Sequence, residues 1–123
     1  MVSVDLSTRI CDGHIIVALR GALDVADAVS VAAALAAVAA RERDIIIDLA
    51  GLEFIDSNGV AALVRGRRQA RDAGGELLLA APQQQVLRIL TLTRLIDVFP
   101  VHATVAEAAG RPGRSPRVAV PVP

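Results

Sequence analysis

Apolar residues change their spacing at defined points along this chain, and those changes lay out an alternation of strands and helices. Ile45-Ile46-Ile47-Asp48-Leu49 is a short β-branched run of the kind that forms a strand covered on both faces, which predicts a strand over 44–49. After Gly59 the period becomes helical: Val60, Leu63, Val64 and Ala70 share one side of a helix expected over 58–73, stopped by Gly74-Gly75. Leu77-Leu78-Leu79-Ala80 reads as the next strand, and a helix over about 83–94 follows Pro82. Such alternation is that of crossover units, so a parallel arrangement is expected. Upstream, residues 2–10 and 14–20 read as two strands joined across Cys11-Asp12-Gly13-His14, because Asp-Gly between β-rich runs signals a tight turn. Gly21-Ala22-Leu23-Asp24 then leads into an alanine-rich helix over 26–41. Ala28, Ala32, Leu35 and Ala39 line its inner side, and Asp24 or Asp27 lies near its N-terminus, where negative charge helps. Val98-Phe99 before Pro100 reads as a short last strand, and Thr104–Ala109 as a final helix with Thr104 and Glu107 at capping-box spacing.

The boundary at Asp56-Ser57-Asn58-Gly59 is the most informative point, because a buried strand there hands over to a helix. Ser57 falls at or near the N-cap, where four unpaired backbone N–H groups and the positive end of the helix dipole converge. Two readings compete for it. Serine is a common N-cap, and on local sequence alone that reading prevails. The reciprocal Glu or Gln of a capping box is absent, however, since Val60 stands three residues on, which tips the balance slightly toward a hydroxyl left to receive a phosphate. A hairpin at Asn58-Gly59 is disfavoured because no period-two alternation follows.

Length and composition bound the function. With 123 residues and 54% apolar content, the chain is expected to form one domain over 1–109 around a single core. From Gly110 onward there are four prolines, two glycines and three arginines, which reads as a flexible tail over 110–123. Thirteen basic and thirteen acidic residues cancel, and aromatics are 2%, which argues against nucleic acid as partner. All the basic residues are arginine, a pattern that codon bias explains and that carries no functional weight. Cys11 is alone, so no disulfide framework exists and a reducing compartment fits. No leader or 18-residue apolar span occurs, so a cytoplasmic protein without a membrane partner is expected. His14 and His102 lack companions at ligand spacing, and neither a metal nor a cofactor is expected.

Arg65 and Arg68 project from the polar side of the second helix and could meet an acidic partner surface, whereas Arg67 and Arg71 fall on the apolar side and should snorkel. Ser57, Asp97 and His102 occur in the order of an α/β-hydrolase triad, but Ile55 stands where the nucleophile elbow needs glycine. An enzyme is not expected. A receiver domain phosphorylated on aspartate has a similar pattern, yet as a family it carries a lysine near its last strand, and this chain has none.

With these elements placed, the chain resembles the STAS family and, within it, the bacterial anti-sigma factor antagonists. The residues that carry the resemblance are Gly21-Ala22-Leu23-Asp24, Ile46-Ile47-Asp48-Leu49, Leu52 through Gly59, Gly74-Gly75-Glu76-Leu77 and Val98-Phe99-Pro100-Val101-His102. The resemblance implies an α/β STAS fold, a mixed and mostly parallel sheet of four to five strands flanked by helices. It implies that Ser57 is phosphorylated by a partner serine kinase that is also an anti-sigma factor with a histidine-kinase-like ATPase fold, that a serine phosphatase reverses this, and that only the unmodified form binds this anti-sigma factor and so frees the sigma factor. Asp24, Asp56, Ser57, Asn58, Gly59, Arg65 and Arg68 are the expected contact residues, in a monomer or weak dimer. Asn58 replaces the family's frequent Ser or Thr, Val60-Ala61 its Leu-Gly, and Ala22 its usual polar residue. A scaffolding or ligand-binding STAS module in a larger signalling assembly is the alternative.

Overall fold

The computed structural model describes residues 4–11, 13–23, 25–41 and 44–110. In chain order these form β1 (Asp5–Cys11), β2 (His14–Leu23), α1 (Val25–Arg41), β3 (Asp44–Ile55), α2 (Ser57–Asp72), β4 (Glu76–Ala80), α3 (Gln84–Leu92), a 3-10 turn (Leu95–Asp97), β5 (Val101–His102) and α4 (Val105–Ala109). The sheet has five strands in sequence order, with β1 antiparallel to β2 and the other pairs parallel. This is the mixed, mostly parallel α/β sheet expected from the alternation.

β3 lies at the centre, which explains its composition. Ile45, Ile46 and Ile47 are all fully buried, because consecutive side chains point to opposite faces and both faces are covered. One face carries the larger core: Val17, Leu19, Ile45, Ile47, Leu77 and Leu79 meet Val31 and Leu35 of α1, Leu63 and Ala70 of α2, and Val86 and Leu90 of α3. On the other face Ile16, Ile46 and Ala80 pack against Ala108 and Ala109 of α4. The small residues of α1 serve a close approach to α2, where a Cβ on Gly66 would come within 2.8 Å of Leu35 Cδ1.

Two strands run further than their patterns indicate, and both extensions position the site. β2 continues through Gly21 to Leu23 and β3 through Gly51 to Ile55, where the sequence suggests ends at 20 and 49. The glycines mark irregularities in a continuing ladder: the β2–β3 register shifts between Ala18 and Arg20 and again between Gly21 and Ala22, with Gly21 at φ +97°.

The last strand is displaced from its expected place. Val98-Phe99 is not a strand; the N–H groups of Val98 and Phe99 both donate to Leu95 O at 2.9 Å, closing a turn that buries Phe99 in the core. The chain pairs only after Pro100, where Val101 and His102 join Leu79 and Ala80. Pro100 has no N–H, but its carbonyl accepts from Leu79 N at 2.9 Å and begins the ladder. The tail expected over 110–123 lies outside the described residues beyond Gly110, as does Asp24.

Candidate functional site

The C-terminal end of β3 and the start of α2 form a rigid corner. Ile55 is buried, the Asp56 N–H donates to Leu23 O of the adjacent β2 at 3.2 Å, and Val60 N donates to Asp56 O at 2.9 Å as the first helical bond. Gly59 makes the corner possible. A Cβ there would lie 2.8 Å from Ile55 Cγ1, Leu23 Cγ and the Leu23 carbonyl oxygen, so any side chain would push the helix off the strands.

Asp56, not Ser57, is the N-cap. Its backbone is extended (φ −109°, ψ −174°), and its Oδ1 accepts from Asn58 N at 2.9 Å and Gly59 N at 3.0 Å. Three neighbouring residues, Asp56, Ser57 and Asn58, all suit an N-cap, so composition could not choose between them; the end of the ladder at Ile55 does. Ser57 is the first helical residue and is exposed, and among the described residues nothing hydrogen-bonds to its hydroxyl. The expectation of four vacant N–H groups is corrected with it: Asn58 and Gly59 already donate to Asp56, and Val60 to its carbonyl. The corner is therefore a hydroxyl presented beside a carboxylate, not an open cradle for anions.

A stability prediction separates the two residues. Asp56→Ala removes two charge-assisted capping bonds and is expected to cost about 0.5–2 kcal/mol, whereas exposed Ser57→Ala should stay within about 0.5 kcal/mol of wild type. Urea unfolding of both variants checks this ordering.

The other candidates are distributed around the corner. Asn58 is exposed beside Ser57, and Gly59 is buried beneath them. Arg65 and Arg68 lie about two and about three turns along α2 from Ser57 and are exposed. Arg71 does not snorkel: it is exposed and pairs with Glu76 at 3.4 Å, because the turn at Gly74-Gly75 returns the chain beside the helix end. Arg67 is half-buried, with its Nε shielded and unpaired among the described residues. Phe54, not singled out for its exposure, is 52% exposed two residues before Asp56. Behind it, Gln83 Nε2 donates to Ala50 O at 2.7 Å and Gln85 Nε2 to Glu53 O at 3.2 Å, which ties the start of α3 to the outer part of β3.

The hydrolase order is not assembled. His102 sits on β5, two strand spacings or about 10 Å across the sheet from β3, and Asp97 pairs with Arg94 at 3.7 Å. Among the described residues no group of three or more His, Cys, Asp and Glu side chains is placed to hold a metal, and no helix is long and apolar enough to cross a membrane.

A sequence model of the STAS domain matches residues 5–108, from the start of β1 to within one residue of the end of α4, and so includes the whole corner. The chain belongs to the STAS family. This STAS domain is similar to BtrV of Bordetella bronchiseptica, with 34% identity over 99 residues covering 80% of this chain and 84% of that protein. It is also similar to the anti-sigma-F factor antagonist RsfA of Mycobacterium tuberculosis, with 32% identity over 101 residues covering 79% and 78% of the two chains. Among solved structures, an anti-sigma factor antagonist from Mycobacterium paratuberculosis superposes with a TM-score of 0.78 at 27% identity, covering 86% of this STAS domain chain and 91% of that one.

Proposed function

We propose that this STAS domain is an anti-sigma factor antagonist of the cytoplasm, switched by phosphorylation of Ser57. In its unmodified form it docks the β3–α2 corner on an anti-sigma factor that is also a serine kinase with a histidine-kinase-like ATPase fold, and docking frees the sigma factor. The kinase then transfers the γ-phosphoryl group of ATP to Ser57 Oγ, releasing ADP and the hydroxyl proton, and a serine phosphatase restores the binding form by hydrolysis to inorganic phosphate. The names of its relatives supply the class of partner. The observation that carries the switch is the division of labour between Asp56 and Ser57.

Because Asp56 does the capping, the Ser57 hydroxyl is exposed and unneeded for the helix start, so modification does not dismantle the fold. A phosphate there adds about −1.5 to −2 charge and three acceptor oxygens next to the Asp56 carboxylate. The helix dipole favours an anion by roughly 0.3–1 kcal/mol, which offsets part of that repulsion in the free protein. Against a partner the balance differs: the added charge is desolvated, and residues 55–60 supply no counter-charge for it. Phe54 offers the interface an apolar contact, Asn58 a polar one, and Arg65 and Arg68 a basic flank. Asp24 belongs to this proposed surface through the resemblance alone.

Asn58 removes the neighbouring hydroxyl, so Ser57 should be the single acceptor. Incubation with the cognate kinase, ATP and Mg²⁺ followed by phosphopeptide mapping is expected to label Ser57 stoichiometrically and leave Ser57→Ala unlabelled. Full labelling of Ser57→Ala would reject the assignment.

A further inference from the structure

The sheet ends on two unequal edges. β5 is two residues long, but β1 at the opposite edge offers seven residues with no neighbouring strand among the described residues. Asp5, Ser7, Thr8, Arg9 and Ile10 are exposed along it, and Ile10 is the more conspicuous for being apolar and 72% exposed. In the antiparallel ladder the hairpin closes on the pair Cys11 and His14. Counting back by twos from that hydrogen-bonded closing pair, Arg9, Ser7 and Asp5 bond to β2, and the N–H and C=O groups of Leu6, Thr8 and Ile10 point out of the sheet.

We propose that β1 pairs antiparallel with β1 of a second copy of this chain, with Ser7 on the two-fold axis. That register sets Asp5 of each copy opposite Arg9 of the other, Leu6 opposite Thr8, and exposed Ile10 opposite Val4. Each side chain then meets a complementary one on its own face of the sheet: apolar and β-branched residues on the face of the larger core, where Val4 and Leu6 already pack, and charges of opposite sign on the other. Charges on an edge strand ordinarily repel copies. Here their opposite signs and four-residue spacing make the edge self-complementary under a two-fold.

Among the described residues neither charged side chain is held in an ion pair: those present, Arg71–Glu76 and Arg94–Asp97, involve neither Asp5 nor Arg9. Val4 N–H is held by Asp27 Oδ2 at 3.4 Å, so the Val4–Ile10 pair at each end of the new ladder is joined only by the bond from Ile10 N to Val4 O, and the ladder stops there. The pairing lies two strands away from β3 and does not draw on Ser57.

The test uses the full chain. Sedimentation equilibrium should show a concentration-dependent dimer, weakened about tenfold by either Asp5→Arg or Arg9→Asp and restored by the two together, since the exchanged charges again oppose. In a Cys11→Ala background, Ser7→Cys should cross-link to a dimer under mild oxidation much faster than Val29→Cys, because facing residues of a non-hydrogen-bonded pair have Cα atoms about 4.5 Å apart, within disulfide reach. Melting curves confirm that each variant is folded. A monomer at every concentration, a double variant no better than the singles, or Ser7→Cys cross-linking no faster than Val29→Cys would each overturn the proposal.

Discussion

Gly59→Ala is expected to destabilise the domain by about 1–3 kcal/mol, although alanine is the better helix former by about 1 kcal/mol. The new methyl group would lie 2.8 Å from three atoms, and one of them is the Leu23 carbonyl oxygen, a backbone atom held in the β2–β3 ladder that cannot move aside. Relief would need α2 to lift from the strands, breaking the Val60 bond to Asp56 and the caps on Asn58 and Gly59. Gly66→Ala is the matched control. Its closest contact is Leu35 Cδ1, the far end of a flexible side chain, so a small shift and the gain in helix propensity should leave that variant within about 1 kcal/mol of wild type. Thermal unfolding should therefore show a fall of roughly 5–20 °C for Gly59→Ala and a much smaller change for Gly66→Ala. An unchanged midpoint for Gly59→Ala would mean that the close approach is not what selects glycine.

The same corner shows what the sequence could and could not convey. The triple-isoleucine run of β3 and the helical spacing from Val60 to Ala70 state burial directly, so the central strand, the helix after it and the handover between them were legible. Their boundaries were not. Gly21 and Gly51 look like strand ends in one dimension but lie at irregularities in longer strands, and only pairing between β2 and β3 distinguishes the two cases. Val98-Phe99 is apolar because Phe99 fills the core from a turn, and a two-residue strand such as β5 is too short for any periodicity to announce it. At the site, the hydroxyl and its exposure on a helix start were readable, but its freedom from capping was not. Asp56 competes for the same N–H groups, and it wins because its extended backbone at the end of β3 aims the carboxylate at Asn58 N and Gly59 N.

Loading Ser57 with charge should affect binding far more than folding. With the cap supplied by Asp56, Ser57→Asp and Ser57→Ala differ little in what they do to the helix start. An added carboxylate gains from the dipole and loses to Asp56 in similar measure, so the two variants should melt within a few degrees of each other. At an interface the equivalence ends. Burying an uncompensated charge costs about 2–5 kcal/mol, a tens-fold to thousands-fold loss of affinity. A carboxylate carries less charge than a phosphate, so Ser57→Asp should fall toward the lower part of that span and the phosphorylated protein toward the upper part.

Calorimetric titration of the anti-sigma factor with Ser57→Ala and Ser57→Asp, beside their melting curves, tests the switch most directly. The account predicts near-equal stabilities and a dissociation constant at least about thirtyfold larger for Ser57→Asp. Equal affinities for two equally stable variants would contradict it, and would leave Ser57 as an exposed residue of the helix start with no part in partner choice.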